Sequence, residues 1–341
     1  MDKISKPIFI GGTGRSGTTI LSKVLGSHQK IHRLPETRFL IDPDGLIDLI
    51  PTLSTNWSLV RGNAAIYRFS TLMNEIGRHP TFWEKLFNKI TKKINKLYKL
   101  ITLRNYLLSP ARPYITKTHL INDIGCSKYN YIFENYLNRL SYSEFNGYKM
   151  TTKSYEIKPI IISAKKFNEE EIVQISSSFV KTLFSQALSD KETHWVDDTP
   201  SNILHVNFLH KLFPEMKIIH IYRDPRDVIS SFVTKFWGGN EPVDVVKGHR
   251  YKLEKWIELK KEIPNDIHFE IKLEDLIDNQ ESKLSEILNF IGLPFDESVL
   301  NIELSRERGH VGRWKKELSS QDIKLIRSEL EDIMSKYGYD W

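Results

Sequence analysis

The sequence predicts an α/β fold in which a central parallel sheet is flanked by helices and carries a mostly helical insertion. Three observations support this. An apolar strand over residues 8–10 runs directly into a glycine-rich turn over residues 11–17. A helix follows, with Ile20, Leu21, Val24 and Leu25 on one face and Gly26 at its end. A second apolar strand, Lys217–Tyr222, again feeds a helix, from Asp227 onward. Between these two units, residues 45–185 lose the strand–helix alternation and read as an insertion.

The remaining elements follow in chain order. Residues 82–108 form an amphipathic basic stretch in which Phe87, Ile90, Ile94, Leu97 and Ile101 recur near helical spacing. Its lysines (Lys89, Lys92, Lys93, Lys96, Lys99) are expected to form a solvated face, with a membrane-surface or acidic-acceptor role as the alternative. Residues 127–166 are rich in tyrosine and asparagine and show no clear period. Order returns at Trp195. Residues 203–213 place Leu204, Phe208, Leu209 and Leu212 on one helical face, ended by Pro214. Ile267, Phe269 and Ile271 alternate with His268 and Glu270 as in a strand. Leu284, Ile287, Leu288 and Ile291 line a helix stopped by Gly292 and Pro294, and residues 323–337 form a last amphipathic helix. No internal repeat interrupts this order, so residues 1–341 are read as one domain, with 45–185 building an acceptor pocket or lid.

Composition narrows the function. The chain has 341 residues, 40% hydrophobic and 27% charged, as in an ordinary soluble domain. Lysine and arginine outnumber acidic residues 49 to 43, a net +6 that suits an anionic ligand but falls short of a nucleic-acid-binding stripe. The single cysteine, Cys126, excludes an intrachain disulfide and a cysteine zinc cluster, and fits a reducing compartment. The N-terminus lacks the long apolar core of a signal peptide, and no stretch nears the ~20 apolar residues of a membrane span. The expected location is the cytoplasm.

The chemistry begins in the glycine-rich turn, Gly12-Thr13-Gly14-Arg15-Ser16-Gly17-Thr18-Thr19. Between a strand and a helix, such a loop converges backbone N–H groups on an anion, and the helix N-terminus adds partial positive charge. The pattern is nearly the nucleotide triphosphatase loop G-x-x-x-x-G-K-[ST], so the fold reads as P-loop-like, with three layers. Thr18 stands where that loop has its lysine, and the cation is Arg15, inside the loop. That arrangement suits a 5′ phosphate carrying one less charged group better than a triphosphate with Mg²⁺.

Residues 11–19, GGTGRSGTT, resemble the 5′-phosphosulfate-binding loop of the sulfotransferases that use 3′-phosphoadenosine 5′-phosphosulfate (PAPS). The resemblance implies cofactor contacts from Gly14, Arg15, Ser16, Gly17, Thr18 and Thr19. In that family a strand-ending arginine and a serine eight residues later hold the 3′ phosphate, and Arg223 and Ser231 match this spacing. Physically, an arginine at a strand end and a hydroxyl in the next helix can grip one phosphate from two sides. Ser230 is the neighbouring candidate, and Arg226 is either a site residue or a partner of Asp224 or Asp227. Arg308-Gly309-His310-Val311-Gly312-Arg313-Trp314-Lys315 resembles the family's R-x-G-x-x-G-x-W-K element, which closes over the nucleotide; Arg308 and Gly309 match, and Glu307 replaces a basic residue. The resemblance covers residues 7–40 and 193–341.

In-line sulfonate transfer calls for a base on the acceptor hydroxyl and a cation on the leaving oxygen. Arg15 suits the second role. Glu36-Thr37-Arg38 lies 21 residues beyond Arg15 and resembles the Glu-Thr-Arg element of tyrosylprotein sulfotransferases. The resemblance implies Glu36 as base and Arg38 as a substrate-binding residue; the plainer readings are a helix-capping carboxylate and a surface salt bridge. His119, in Lys117-Thr118-His119, is the reserve base, since that triplet resembles the base-bearing loop of small-molecule sulfotransferases. Trp195-Val196-Asp197-Asp198-Thr199-Pro200 resembles the family's W-x-x-K-T-P, with Asp198 in place of lysine.

The expected activity is therefore transfer of sulfonate from PAPS, as co-substrate and without a metal, to an acceptor hydroxyl on a glycan, lipid-linked sugar, small metabolite or peptide tyrosine. The alternative is a P-loop kinase or nucleotide hydrolase using Mg²⁺, with Asp197 and Asp198 as the acidic pair.

Overall fold

The computed structural model describes residues 5–102, 120–142, 144–150, 155–161, 163–233 and 242–341. His119 and residues 103–108 of the basic stretch lie outside the described residues. Seven strands are present in this part of the chain: β1 (Lys6–Gly11), β2 (Ile31–Arg33), β3 (Glu144–Met150), β4 (Tyr155–Ile161), β5 (His194–Asp197), β6 (Lys217–Tyr222) and β7 (His268–Lys272). Five form one sheet in the order β2-β5-β1-β6-β7, with every pair parallel; β3 and β4 make a separate antiparallel hairpin. The expected α/β class and parallel sheet are what the chain adopts.

Side-chain alternation along the strands sorts the core into two faces. Phe9, Trp195 and Ile218 point to one side. Ile8, Ile10, Val196, Ile219 and Ile221 point to the other, where they meet Leu21, Val24 and Leu25 of the first helix (Thr18–Leu25) and Leu284, Ile287, Leu288 and Ile291 of the helix Gln280–Ile291. Trp195 is fully buried, with Phe9, Phe184 and Phe213 edge-on at centroid distances of 5.3, 4.8 and 5.8 Å. Phe184 belongs to the helix Glu169–Ser185, so the helical insertion shares its core with the sheet's Phe9 face.

Two segments differ from the sequence expectation. Residues 203–213 are not one helix: a 3₁₀ turn, Pro200–Leu204, is followed by the helix Val206–Leu212. The break has a physical reason. The Asn202 amide is committed to the Ile10 carbonyl at 3.1 Å and to Asp197 at 2.6 Å, which holds the turn tight against β1. Residues 127–166, which lack an obvious period, contain most of the helix Cys126–Leu140 as well as the hairpin.

The C-terminal helix, Ser320–Lys336, opens with a capping box between Ser319 and Asp322 and packs Ile326, Leu330 and Met334 against Val246 of the helix Pro242–Leu259. Arg250 reinforces this contact with two bonds of 2.9 Å to Asp332. Next to Arg250 in sequence, His249 is buried, and neither ring nitrogen has a hydrogen-bond partner among the described residues. Burial, with Lys252 and His220 nearby, pushes it down to about 3; burial likewise holds His194 at about 4. Both therefore stay neutral in the folded chain while the unfolded chain protonates near pH 6.5, so stability is present above that pH and is lost as pH falls below it. Between pH 7 and pH 5 each histidine should cost roughly 2 kcal/mol of stability. Urea unfolding at the two pH values checks this: His249→Leu should lose about 2 kcal/mol less than the parent, and an equal loss in both proteins would refute it.

Candidate active site

β1 is the switch point of the sheet: β5 and β2 extend from one side of it, β6 and β7 from the other. In an open parallel sheet the crevice for a ligand lies beyond the carboxyl ends of the strands at this point. There β1 delivers the glycine-rich loop. Gly14, Arg15 and Gly17 have φ of 84°, 59° and 109°, a left-handed run that turns the chain back into the first helix. Gly12 has a second reason to lack a side chain, since a Cβ there would sit 2.2 Å from Ser16 Oγ and 2.6 Å from the Ile221 carbonyl oxygen. Ser16 is fully buried and its hydroxyl has no partner among the described residues. Thr18 is buried and Thr19 exposed at the start of the helix.

β6 delivers the second group of residues. Arg223 is buried at the strand's end. Its guanidinium reaches the Arg15 carbonyl at 3.4 Å, the His310 carbonyl, and Asp227 at 3.2 Å, while Nε has no partner among the described residues. Ser231, two turns into the helix Pro225–Val233, accepts from Arg15 Nε at 3.0 Å. Arg15, Arg223 and Ser231 are thus brought together. Burial first, then the charges of Arg223 and Arg313, lower the Arg15 pKa. Arg15 thus feels two neighbouring guanidiniums, beside a hydroxyl and a guanidinium N–H that are orphaned among the described residues, a setting that an anion would relieve.

The neighbouring candidates do other work. Ser230 donates to Glu317 instead of facing the loop. Arg226 clamps Asp224 at 2.8–3.2 Å and lies over Trp314 and Trp341, with its guanidinium 4.3 and 5.1 Å from the ring centroids. Asp227, fully buried, accepts from the backbone N–H groups of Gly312 at 2.7 Å and Trp314 at 3.1 Å, pinning the C-terminal element over Arg223. Gly309 is a packing glycine, since a Cβ there would meet Ile277 Cδ1 at 2.5 Å. Arg308 is exposed and donates to the Glu303 carbonyl at 3.1 Å, turned toward its own loop.

Glu36 and Arg38 leave β2 along the same carboxyl edge of the sheet. Thr37 between them donates both its N–H and its hydroxyl to Asp197 at 2.5 Å. Asp197 also accepts from Thr199 N–H at 2.9 Å and from Asn202. The Pro200 carbonyl in turn accepts from Gly12 N–H at 2.8 Å. This bonded chain fixes the Glu36 segment relative to the phosphate loop. Burial raises the Asp197 pKa, and its hydrogen bonds with Thr37 and Asn202 oppose that rise. Glu36 is mostly shielded, at 16% side-chain exposure, with Arg38 Nη1 at 3.9 Å; Arg38 Nε binds Asp42 at 2.7 Å. Asp198 is buried, with Arg33 at 3.5 Å and Oδ1 without a partner among the described residues.

The sequence profile described as the Sulfotransferase family matches residues 7–89 and 128–297. The chain belongs to the sulfotransferase family. Its fold and family are those of a transferase, and the match does not favour the kinase alternative. The sulfotransferase domain from the curacin biosynthetic pathway aligns with a TM-score of 0.52 at 14% identity, covering 99% of this chain and 99% of that one, a likeness of fold. The sulfotransferase domain of the Synechococcus PCC 7002 olefin synthase aligns with a TM-score of 0.49 at 16% identity, covering 99% and 97%. A curated relative described as an uncharacterized protein, from Aquifex aeolicus (strain VF5), is 27% identical over 155 residues. That match takes in 41% of this chain and 18% of the relative, so the chain spans less than a fifth of that protein's length.

This sulfotransferase-family chain also brings to the phosphate loop a lysine that no motif announced. Lys252, on the helix Pro242–Leu259, donates to the Thr13 carbonyl of the phosphate loop at 3.1 Å. Burial lowers its pKa, and no carboxylate lies within ion-pair distance among the described residues. Its ammonium sits 5.8 Å from the centroid of Phe232, whose ring edge would be 3.1 Å from a Cβ at Gly14. Among the described residues no group of three or more His, Cys, Asp or Glu side chains is placed to hold a metal ion.

Proposed function

We propose that the chain transfers the sulfonate of PAPS to an acceptor hydroxyl. The observation that carries this reading is the junction of Arg15, Arg223 and Ser231 across the glycine-rich loop, with Ser16 Oγ and Arg223 Nε buried and unpaired. The loop N–H groups, Ser16 and Thr18 receive the 5′ phosphosulfate, and Arg223 with Ser231 receives the 3′ phosphate. Bound PAPS supplies an activated sulfonate on a phosphate leaving group. Glu36 takes the proton of the acceptor hydroxyl as that oxygen bonds to sulfur. Arg15 and Lys252 stabilise the charge that develops on the phosphate oxygen as the old S–O bond breaks. Lys252 supplies the cation that Asp198, at the lysine position of W-x-x-K-T-P, cannot. Arg38 orients the acceptor, and residues 45–185 form the acceptor side of the site.

Calorimetry with 3′-phosphoadenosine 5′-phosphate (PAP), in the absence of Mg²⁺ and with ATP as control, tests the nucleotide assignment. Micromolar or tighter binding is expected. Arg223→Ala should weaken it about 100-fold, the worth of charge-assisted bonds to one phosphate. No PAP binding, with ATP bound only in the presence of Mg²⁺, would overturn the reading.

A further inference from the structure

The helix Phe82–Thr102 is folded and anchored, yet its apolar face is outside. Thr81 and Glu84 cap its start, with Glu84 accepting from the Thr81 N–H at 2.7 Å. Arg78 ties Glu84 (2.8 Å) to Glu75 (3.1 Å) at the end of the helix Leu59–Ile76. At 100° per residue the helix has three faces. Glu84, Asn88, Thr91 and Asn95 form a polar face that is sheltered, with Thr91 only 3% exposed. Trp83, Phe87, Ile90, Ile94, Leu97 and Ile101 fall within an arc of about 80°, and all are exposed, from 38% for Ile94 to 74% for Trp83. Lys85, Lys89, Lys92, Lys93 and Lys96 occupy the third face and are exposed as well. A helix stabilised by burying its own apolar stripe would show the opposite arrangement.

We propose that this helix lies in the surface of an anionic phospholipid bilayer, with its apolar stripe among the acyl chains and its lysines at the headgroups. The chemistry of the two exposed faces selects this occupant. An apolar stripe with lysines beside it and Trp83 and Phe82 at one end has the composition of an interfacial helix, in which apolar burial and attraction to acidic headgroups add together. A second copy fits less well, because two-fold pairing of this helix with itself would bring lysine rows together in a chain of net charge +6. No helix among the described residues is long and apolar enough to cross a membrane, so the attachment is to one surface. The inference does not depend on the proposed transfer reaction.

Co-sedimentation of the full chain with vesicles of phosphatidylcholine, alone or with about 30% phosphatidylserine, tests it. The chain should bind the mixed vesicles, and bind them at least about tenfold less at 0.5 M salt, a concentration chosen because it shortens the screening length to a few ångströms (~4 Å). Trp83→Ser with Leu97→Ser removes two exposed side chains and should lower partitioning at least about tenfold. Lys89→Gln, Lys92→Gln and Lys96→Gln together should abolish the preference for phosphatidylserine. Thermal unfolding and PAP affinity should stay at parental values in both variants, which separates a failure here from a failure of the nucleotide assignment. Absence of vesicle binding, or equal binding by the Trp83→Ser/Leu97→Ser protein, would overturn the proposal. So would a dimer in light scattering that this double variant dissociates, since a second copy would then be the occupant.

Discussion

Glu36→Gln is expected to lower turnover by about 10²–10⁴-fold, the range for loss of a positioned general base, while PAP affinity stays within about threefold, since no nucleotide contact is assigned to this residue. The amide keeps the size of the side chain and its hydrogen-bonding reach but cannot accept the acceptor's proton. The structure gives Glu36 the shielding and support a base requires. The residue next to it, Thr37, is clamped by two hydrogen bonds to buried Asp197. A carboxylate that merely paired with Arg38, at 3.9 Å and with Arg38 44% exposed, would cost under about 1 kcal/mol to remove. Single-turnover rates with saturating PAPS and an acceptor panel separate the two roles. A loss below about tenfold would return Glu36 to the capping role and move the search for a base to His119.

The parts of this site that were legible in sequence are those whose chemistry is local. A loop that turns on left-handed residues must place glycines at fixed positions after a strand, so residues 11–19 announced themselves. Arg223 and Ser231 were picked out by their match to the family's strand-ending arginine and the serine eight residues on; the structure puts Ser231 against Arg15 and Ser230 on Glu317. The helix Cys126–Leu140 went unread for an identifiable reason. Its buried stripe is Tyr129, Phe133, Tyr136 and Leu140, and tyrosine counts as half polar until its hydroxyl is accounted for. Here Tyr129 donates to the Met73 carbonyl and Tyr136 meets Ser176, both at 2.8 Å, so both rings pack as core. β2 was invisible because three residues, Ile31, His32 and Arg33, are too few for alternation to register.

The basic helix shows a different limit. Spacing alone separated its lysines from its apolar residues, and Lys89, Lys92, Lys93 and Lys96 are solvated as expected. Spacing does not say which face meets the protein. The sheltered side of this helix is the one carrying Asn88, Thr91 and Asn95, while its start is held by Arg78 and Glu84.

Lys252→Met is expected to reduce turnover by about 10²–10³-fold, the scale for removing one preorganised group that stabilises developing charge. PAP affinity should change far less than in Arg223→Ala, and Lys252→Arg should recover part of the rate. The residue lies 239 positions from Thr13, so no local pattern relates it to the loop. The relation is made by folding. The helix Pro242–Leu259 is held by Arg250 on Asp332 and by Val246 among Ile326, Leu330 and Met334, which fixes the lysine two residues beyond Arg250. Among the described residues its partly buried ammonium meets a loop carbonyl and the Phe232 ring but no carboxylate, an arrangement that is costly unless an anion shares the site. Asp198 sharpens the argument. The position where W-x-x-K-T-P has lysine here carries a buried carboxylate near Arg33, so the charge balance at the phosphosulfate must come from elsewhere. If Lys252→Met turned over at the parental rate, Arg15 alone would suffice and the lysine would be a brace for the Thr13 carbonyl. Single turnover at saturating PAPS tells the catalytic cation from the brace: loss of the cation slows the step at saturation and leaves PAP affinity near the parental value. A loosened loop would instead show itself as weaker PAP binding.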